Sequence, residues 1–334
     1  MTTLDERYQK GIETRTKFGG GTLTAGSTPV AWPMAPDLER IANEFLFGSV
    51  WHRPALKDRQ REMITLTCLT VLKRDNQTRR HLGNGLNLGL TPVEIVEVLR
   101  RSEHGMTLPF ICRGDDGEIY FVKGSGAGRQ SQINEWISGN LALAMGIPVA
   151  PFRLVDVPDE LTDVLSAEDA LALGRGPAFG SVEQRITELA FSQIHDVPSE
   201  MRGSLLVFDW WISNVDRQLT KNGGNANLFW DAETQRLVVI DHNQAFDPDF
   251  DADQFFRYHA FKDGVPDVFD DLIERQHYTE RLEQALREWD GIIQAIPEEW
   301  FYIDSEMTMK LDFDPDSFLK HLQRFRSDNF WNRK

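Results

Sequence analysis

The stretch that most constrains the fold runs from residue 209 to residue 247, DWWISNVDRQLTKNGGNANLFWDAETQRLVVIDHNQAFD. Its beginning overlaps the almost wholly apolar segment SLLVFDWWI, which predicts a buried helix. The following VDRQLTKNGGNAN is rich in Asn, Gly and Asp and predicts a loop. LFW and RLVVID then predict a β-hairpin. A loop held between a buried helix and two strands fixes its polar side chains on a rigid frame.

Three oxygen-bearing side chains follow one another in this stretch: Asp216, Asn227 and Asp241. Phosphoryl transfer uses such a set, because one carboxylate receives the proton of the acceptor hydroxyl while an amide oxygen and a second carboxylate hold magnesium on the nucleotide phosphates. Each residue taken alone is more often a loop cap than a catalyst, since Asp and Asn are ordinary turn residues. Their order, with Asp241 ending an apolar strand, favours the catalytic interpretation.

A second candidate segment, GMTLPFICRGDDGEIYFVKG, predicts two strands joined by a turn at residues 114–117. Lys123 ends the second strand, where a lysine could pair with phosphates. The amphipathic helix INEWISGNLALAMG comes next, and Glu135 in its first turns could form an ion pair with Lys123. A solvated lysine and a helix N-terminal acid stabilised by the helix dipole are the alternatives.

The glycine-rich segment GSGAG directly follows Lys123. Its glycines, Gly124 and Gly126, are the candidate contacts for a nucleotide. A plain connector is the alternative, because glycine-rich loops often serve only to join two elements.

Charge is distributed unevenly along the chain. Residues 1–100 hold 14 Lys and Arg against 11 Asp and Glu, whereas residues 101–334 hold 22 against 41. This difference predicts two modules, one at 1–100 and one at 101–334. The acidic second module would repel nucleic acid and anionic membranes, so neither is an expected partner. An acidic cleft does suit Mg²⁺, which prefers oxygen ligands.

Cysteines and apolar runs exclude further classes. Cys68 and Cys112 are the two cysteines and lie in separate modules, which argues against a disulfide framework or a zinc site. No apolar run approaches the roughly 20 residues that span a bilayer. The first residues, MTTLDERYQK, lack the apolar core of a signal peptide. We therefore expect a cytoplasmic protein.

The first module is predicted to be all-helical. DRQREMITLTCLTVLKR is amphipathic, and NQTRRHLGNGLNLG continues the helical pattern. TPVE at 91–94 has the form of a capping box with proline at the first helical position, which predicts a last helix through Leu99. His81 lies in the second of these segments and is a candidate catalytic residue because histidine transfers protons at neutral pH. A histidine on a helix is, however, more often structural.

Residues from about 100 to the C-terminus resemble the HipA-like kinases, in the compact branch that lacks the toxin's extra N-terminal subdomain. The matching motifs are GMTLPFICRGDDGEIYFVKG, NEWISGNLALAMGIPVAPF, GPAFGS, DWWISNVDR, GNANLFW and IDHNQAF. The resemblance implies an α+β, two-lobed protein-kinase-like fold, with a small β-rich N-lobe and a helical C-lobe, preceded here by the all-α module.

The same resemblance implies roles for individual residues. Asp216 corresponds to the catalytic base, Asn227 and Asp241 to the magnesium ligands, and Lys123 to the phosphate-gripping lysine with Glu135 as its partner. LTKNGG inserts several residues between Asp216 and Asn227 relative to the toxin. Because of this insertion, the resemblance does not identify the molecule that accepts the phosphoryl group.

Residues from about 5 to 99 resemble the carboxymuconolactone decarboxylase family through ERYQKGIETR, NEFLFGSVWHRPALKDRQREMITLTCLTVL and HLGNGLNLGLTPVEIVEVL. Redox members of that superfamily carry a Cys-x-x-Cys pair before the histidine that matches His81. Arg74 and Gln77 occupy those two positions here, which argues against thiol peroxidase chemistry. The family's final helix is missing. Because the family forms rings of helical subunits, an interaction role, including a homo-oligomer, is as well supported as catalysis at His81.

These features together predict an ATP- and Mg²⁺-dependent kinase that transfers the γ-phosphoryl group to a hydroxyl. A protein serine or threonine is the favoured acceptor and a small molecule is the other. Two alternatives are a catalytically weak pseudokinase or interaction protein, and carboxymuconolactone decarboxylase-type activity of the first module. The resemblance also raises a toxin–antitoxin-like role, which the residues do not decide.

Overall fold

The computed structural model describes residues 4–18, 36–53, 56–72, 74, 77, 81, 84–85, 93–102, 107–184, 186–221, 223–231 and 234–333. The chain forms two compact units, Met1–Pro92 and Val93–Lys334. This division falls eight residues before the module boundary placed at 100 by the charge distribution.

The first unit is helical where it is described. Helix α1 spans Leu4–Phe18, α2 spans Pro36–Ile41 and continues as a π-helix over Ala42–Val50, and α3 spans Asp58–Val71. Helix α1 packs closely on the π-helix because Gly11 allows it: a Cβ there would lie 2.1 Å from the carbonyl oxygen of Asn43. The helix predicted at 76–89 lies largely outside the described residues.

The second unit begins with a five-stranded closed barrel, ordered β1-β2-β3-β5-β4. Strand β1 pairs with β4 in parallel and the other neighbours are antiparallel. The strands are β1 Val93–Arg101, β2 Phe110–Gly114, β3 Ile119–Lys123, β4 Phe152–Val157 and β5 Gly176–Val182. The barrel and the helices between its strands form the N-lobe.

The prediction of a helix through Leu99 is wrong. Residues 93–101 form strand β1, which pairs with residues 110–114 of β2 and with Val155 and Asp156 of β4. The capping-box pattern is a local signal of modest energy. The β-branched sequence VEIVEV and two strand partners outweigh it.

The β2–β3 hairpin is confirmed. Gly117 has a φ of 83°, which glycine adopts readily, and its N–H donates to the carbonyl oxygen of Gly114 at 3.0 Å. Successive side chains of β3 alternate between two faces: Tyr120 and Val122 are fully buried in the barrel. Phe121 and Lys123 therefore share the opposite face.

Three helices lie between the barrel strands. Helix α4 spans Arg129–Ala144, α5 spans Asp159–Asp163 and α6 spans Ala167–Leu173. Gly146, with a φ of 74°, follows the end of α4, as the sequence predicts.

The C-lobe is mainly helical, with one small antiparallel sheet ordered β6-β7-β8. Its strands are β6 Thr187–Glu188, β7 Leu228–Asp231 and β8 Arg236–Val239. Its helices are α7 Ser199–Trp211, α8 Ala252–Tyr258, α9 Val265–Phe269, α10 Leu272–Leu286, α11 Trp289–Gln294, α12 Pro315–Leu322 and α13 Asp328–Trp331. The second unit thus has the two-lobed α+β architecture that the sequence predicts.

Helix α7 is the central element of the C-lobe, and residues 203–211 are all buried. The indole N–H of Trp211 donates to the carbonyl oxygen of Leu322 at 2.7 Å, and that of Trp210 donates to Phe330 at 3.1 Å. These bonds attach the last helices to α7, whose C-terminal end leads directly into the loop carrying Asp216. None of the described helices is long and apolar enough to cross a membrane.

Candidate active site

A cavity of about 530 Å³ lies in the second unit and is lined by both of its lobes. Phe121 and Lys123 from β3 line it, as their shared strand face requires. The C-lobe contributes the loop after α7 and the segment after β8. Asp216, Asn227 and Asp241 all reach this cavity, so one space collects the candidate residues from three separate parts of the sequence.

Lys123 is the cationic centre of the site. Its Nζ donates to Glu135 Oε1 and, at 2.7 Å, to Asp241 Oδ1. The side chain of Lys123 is 9% exposed and that of Glu135 is 3% exposed, so this contact is shielded from water. The predicted Lys123–Glu135 ion pair is therefore present in the structure, and it includes Asp241 as a second carboxylate.

The two carboxylates beside Lys123 differ in electrostatic state. Burial raises the pKa of Glu135, and the nearby Asp241 adds to that rise while Lys123 opposes it. Burial would also raise the pKa of Asp241, but Lys123 outweighs it and lowers that pKa to about 2. For Lys123, burial lowers the pKa, while Glu135 and Asp241 raise it above the usual value. Lys123 and Asp241 are consequently both charged at neutral pH.

Asp216 and Asn227 are directly bonded. The amide Nδ2 of Asn227 donates to Asp216 Oδ2 at 2.8 Å and to the Asp216 carbonyl oxygen at 3.2 Å. Burial raises the pKa of Asp216, Asp241 adds to the rise, and the Asn227 bond opposes it. A carboxylate with a raised pKa accepts a proton more readily, which is the property that a general base requires.

The backbone is strained at the two candidate metal ligands. Asn227 has a φ of 51° and Asp241 a φ of 57°, both in the left-handed region that non-glycine residues rarely adopt. Such strain persists only where surrounding contacts impose it, and it clusters at functional sites.

Helix α4 holds the segment that follows Asp241. Glu135 Oε2 accepts the backbone N–H of His242 at 3.0 Å. The amide of Asn134 donates to the carbonyl oxygens of Asn243 and Ala245 at 3.1 and 2.8 Å. One helix thus orients both the lysine partner and the segment bearing Asp241.

Gly124 and Gly126, the predicted nucleotide contacts, lie close to helix α6. Neither is among the residues that line the cavity. A Cβ on Gly124 would lie 1.9 Å from the carbonyl oxygen of Leu173, and one on Gly126 would lie 2.9 Å from Ala172. Both glycines allow the chain to pass close to helix α6. A contact between these glycines and a nucleotide stays a prediction.

The donor set fits a hard cation. Asn227 uses its Nδ2 for Asp216, which leaves the amide oxygen as the group available for a metal, and Asp241 supplies an ionised carboxylate. Among the described residues, no group of three or more His, Cys, Asp and Glu is placed to hold a metal ion. The candidate set here combines an amide with carboxylates.

Sequence reasoning missed the apolar part of the cavity. Aromatic and aliphatic side chains line this part. They come from the barrel strands, from β8 and from the residue after β8: Ile111, Phe121, Phe152, Phe179, Val239 and Ile240. Strand alternation is the signal that could have found the barrel members. Ser102 and Thr107, before β2, also line the cavity, and they were likewise not singled out.

His242 is a further lining residue that sequence reasoning set aside. Burial lowers its pKa to about 3, so the ring is neutral at physiological pH. Its neutrality leaves Lys123 as the cation closest to Asp241 among the described side chains.

His81 lies in the first unit and forms a separate pair. Its Nδ1 is 2.7 Å from Glu62 Oε1, and the Glu62 side chain is fully buried while that of His81 is 23% exposed. The second oxygen of Glu62 has no hydrogen-bond partner among the described residues. Glu62 was not singled out from the sequence, because a single acid in an amphipathic helix carries no signal of burial.

Comparison with known families gives two matches. The HipA-like kinase family model matches residues 95–334, and the carboxymuconolactone decarboxylase family model matches residues 36–103. The chain is 30% identical over 95 residues to a 4-carboxymuconolactone decarboxylase of Acinetobacter baylyi and 27% identical over 92 residues to a nitrosuccinic acid decarboxylase of Metarhizium robertsii. Each alignment covers 28% of this chain; they span 71% and 64% of the two decarboxylases.

Among solved structures, a Helicobacter pylori proinflammatory kinase is similar to this chain at 10% sequence identity. The similarity covers 73% of this chain and 98% of the other, with a TM-score of 0.38. That score is too low to support a conclusion about the site.

Proposed function

We propose that this chain, a member of the HipA-like kinase family through residues 95–334, is an ATP- and Mg²⁺-dependent kinase. Through residues 36–103 the chain also belongs to the carboxymuconolactone decarboxylase family. The observation that carries the proposal is the convergence of Lys123, Asp216, Asn227 and Asp241 on one cavity. The acceptor is proposed to be a serine or threonine hydroxyl of a protein. The half-buried position of Asp216 supports this, because an acceptor side chain can reach it.

The proposed step is an in-line displacement. The acceptor oxygen forms a bond to the γ-phosphorus as the bond from that phosphorus to the β–γ bridging oxygen breaks, which releases ADP. The acceptor proton passes to the Asp216 carboxylate, whose raised pKa favours its uptake. Lys123 would contact the phosphates while Glu135 keeps its ammonium group in place. Asn227 orients Asp216 through their shared hydrogen bond.

Charge supports the metal requirement. Among the described residues that line the cavity, five carry carboxylates, Glu135, Glu183, Glu188, Asp216 and Asp241, and two carry cations, Lys123 and Arg100. A triphosphate entering such a cavity would be repelled unless cations accompanied it. Bound Mg²⁺ would neutralise phosphate charge, and Asn227 and Asp241 are the residues proposed to hold it. The stacked rings of Phe152 and Phe179 form an apolar part of the cavity lining, the base slot, which suits a flat nucleobase.

The direct test uses ATP labelled at the γ-phosphate. With Mg²⁺, we expect label to move to serine or threonine in a protein mixture, and EDTA should abolish the transfer. Small polyols tested in parallel would reveal a small-molecule acceptor. Metal-dependent ATP binding with no transfer to any acceptor, including water, would instead support the pseudokinase alternative.

A second activity is favoured by the Glu62–His81 pair. A fully buried carboxylate bonded to a partly exposed imidazole orients that imidazole and leaves its other nitrogen for a substrate. We propose that the first unit can decarboxylate a lactone acid with His81 as the proton carrier. Release of CO₂ from carboxymuconolactone by wild type and by H81A tests this, with H52A as a control from the same unit. Equal rates for wild type and H81A would exclude the role of His81.

Self-association through the first unit is a further proposal about partners. Large apolar side chains of α2, the following π-helix and α3 are more than half exposed: Leu38, Ile41, Phe45, Met63 and Ile64. Light scattering should then give a mass above 38.3 kDa for the wild-type chain, and F45E should shift it toward the monomer. A monomeric wild type would reject the proposal.

A further inference from the structure

A buried arginine, Arg217, lies immediately after Asp216, and both its side chain and that of Asp209 have no exposed surface. Arg217 Nε donates to Asp209 Oδ2 at 3.1 Å, and Nη2 donates to Oδ1 at 3.4 Å. Asp209 also accepts from Asn214 Nδ2 at 2.8 Å and pairs with His259 Nε2 at 3.0 Å. The guanidinium group is therefore held in one orientation by the end of helix α7.

The third nitrogen of Arg217 reaches the metal-ligand segments. Nη1 donates to the carbonyl oxygens of Ala226, Asn227 and Ile240 at 3.1, 3.1 and 3.0 Å. Ile240 directly precedes Asp241, so one nitrogen bonds the backbone at both candidate metal ligands. Asn227 and Asp241 both have left-handed backbone, and these hydrogen bonds help to hold the chain in that conformation.

We infer that Arg217 is a positioning residue that sets the distance between Asn227 and Asp241 and fixes both relative to Asp216. It does not line the 530 Å³ cavity, so it acts through the backbone rather than on the nucleotide. The buried ion pair with Asp209 fixes the direction of Nη1. Its hydrogen bonds to the three carbonyl oxygens then hold the loop before β7 and the residue after β8 in place. This inference rests on the proposed kinase function.

Arg217→Lys is the first test, because lysine keeps the charge but lacks the planar fork that reaches Asp209 and the carbonyls together. We expect kcat to fall about 100-fold or more, as misplacement by about 1 Å can cause. We also expect the Mg²⁺ concentration for half-maximal ATP binding, measured by calorimetry without turnover, to rise about tenfold, a loss of about 1.4 kcal/mol. The KM for ATP at saturating metal should change little, since the base slot and Lys123 are untouched.

Arg281→Lys is the matched control. Arg281 also donates to a backbone carbonyl, that of Met145, and to Ser204 Oγ at 2.6 Å, but neither partner belongs to the segments that carry Asn227 and Asp241. It should show wild-type metal dependence. If Arg217→Lys does not fold, the double variant D209N/R217M replaces it, because removing both charges leaves no unpaired buried ion.

The outcomes are distinct. A folded Arg217 variant with wild-type kcat and metal dependence overturns the inference, and so does a loss of activity with unchanged metal dependence, which general loosening would give. A wild-type chain without transfer or metal-dependent ATP binding refutes the proposed function itself. A rise in the Mg²⁺ concentration that the Arg217 variant requires, absent from Arg281→Lys, supports the positioning role.

Discussion

Asn227 donates two hydrogen bonds to Asp216, one to the carboxylate at 2.8 Å and one to the backbone carbonyl at 3.2 Å. The amide that would orient a metal ion is thereby fixed to the carboxylate that would accept the proton. Because both bonds use Nδ2, the amide oxygen faces away from Asp216. The amide nitrogen of Asn227 thus binds Asp216, and its amide oxygen is left for the metal ion. One side chain therefore fixes the position of the metal relative to the Asp216 carboxylate.

Asp216→Asn should leave nucleotide binding nearly intact and reduce transfer about 10²–10⁴-fold, the usual contribution of a general base. The amide cannot take up the acceptor proton, whereas Lys123, Asn227 and Asp241 remain. Calorimetry with ATP and Mg²⁺, together with label transfer, measures both properties. Asp249→Asn is the control, because Asp249 lines a different, 100 Å³ cavity behind the same loop and should transfer normally. Normal transfer by Asp216→Asn would refute the assigned role.

ATP should bind at least tenfold more weakly in EDTA than in Mg²⁺, a difference of about 1.4 kcal/mol. The physical reason is the excess of carboxylates over cations in the cavity lining. Calorimetry at constant ionic strength measures the difference, since screening alone would otherwise change it. Equal affinity in both conditions would contradict the charge argument.

Gly126→Ala tests whether the glycine-rich segment contacts the nucleotide or only packs against helix α6. The new Cβ would lie 2.9 Å from Ala172, so the free energy of unfolding should fall by about 1–3 kcal/mol, as overpacking does. The KM for ATP should stay within about threefold of wild type, a change of under about 1 kcal/mol, because Gly126 does not line the cavity. Gly264→Ala is the control: Gly264 has a φ of −81°, and a Cβ there would lie 4.0 Å from a methyl carbon of Leu206, so stability should hardly change. A large rise in KM would support the nucleotide-binding interpretation.

Stability should depend on pH through Asp209. Burial would raise its pKa, but Arg217, His259 and Asn214 outweigh burial and hold the pKa below the usual range. The unfolded chain then binds a proton that the folded chain does not, so the contribution is present above about pH 4 and is lost as the pH falls. Between pH 5 and pH 3, urea unfolding of wild type should lose stability more steeply than that of D209N/R217M. Parallel slopes would show that Asp209 is not held ionised.

The sequence predicts those features of the site that depend on local pattern. The buried helix ending at Trp211, the hairpin of β7 and β8, and the turn at Gly117 all follow from apolar runs and turn residues. Lys123 and Glu135 are 12 residues apart, and the strand–helix pattern already suggested that they could pair.

Long-range contacts account for what the sequence could not predict. Strand β1 has a helix-capping pattern, and its partners in β2 and β4 decide its conformation. The glycine-rich pattern at Gly124 gives no sign of its close contact with the carbonyl of Leu173, 49 positions away. Arg217 reads as a polar loop residue, and its burial depends on Asp209, Ile240 and His259 converging from separate elements.

The most direct measurement is a crystal structure with Mg²⁺ and a non-hydrolysable ATP analogue. We expect a metal ion about 2.0–2.1 Å from the Asn227 amide oxygen and from an Asp241 carboxylate oxygen. We also expect that Lys123 contacts the phosphates and that the γ-phosphate faces Asp216. A nucleotide bound elsewhere, or a metal that touches neither Asn227 nor Asp241, would contradict this account.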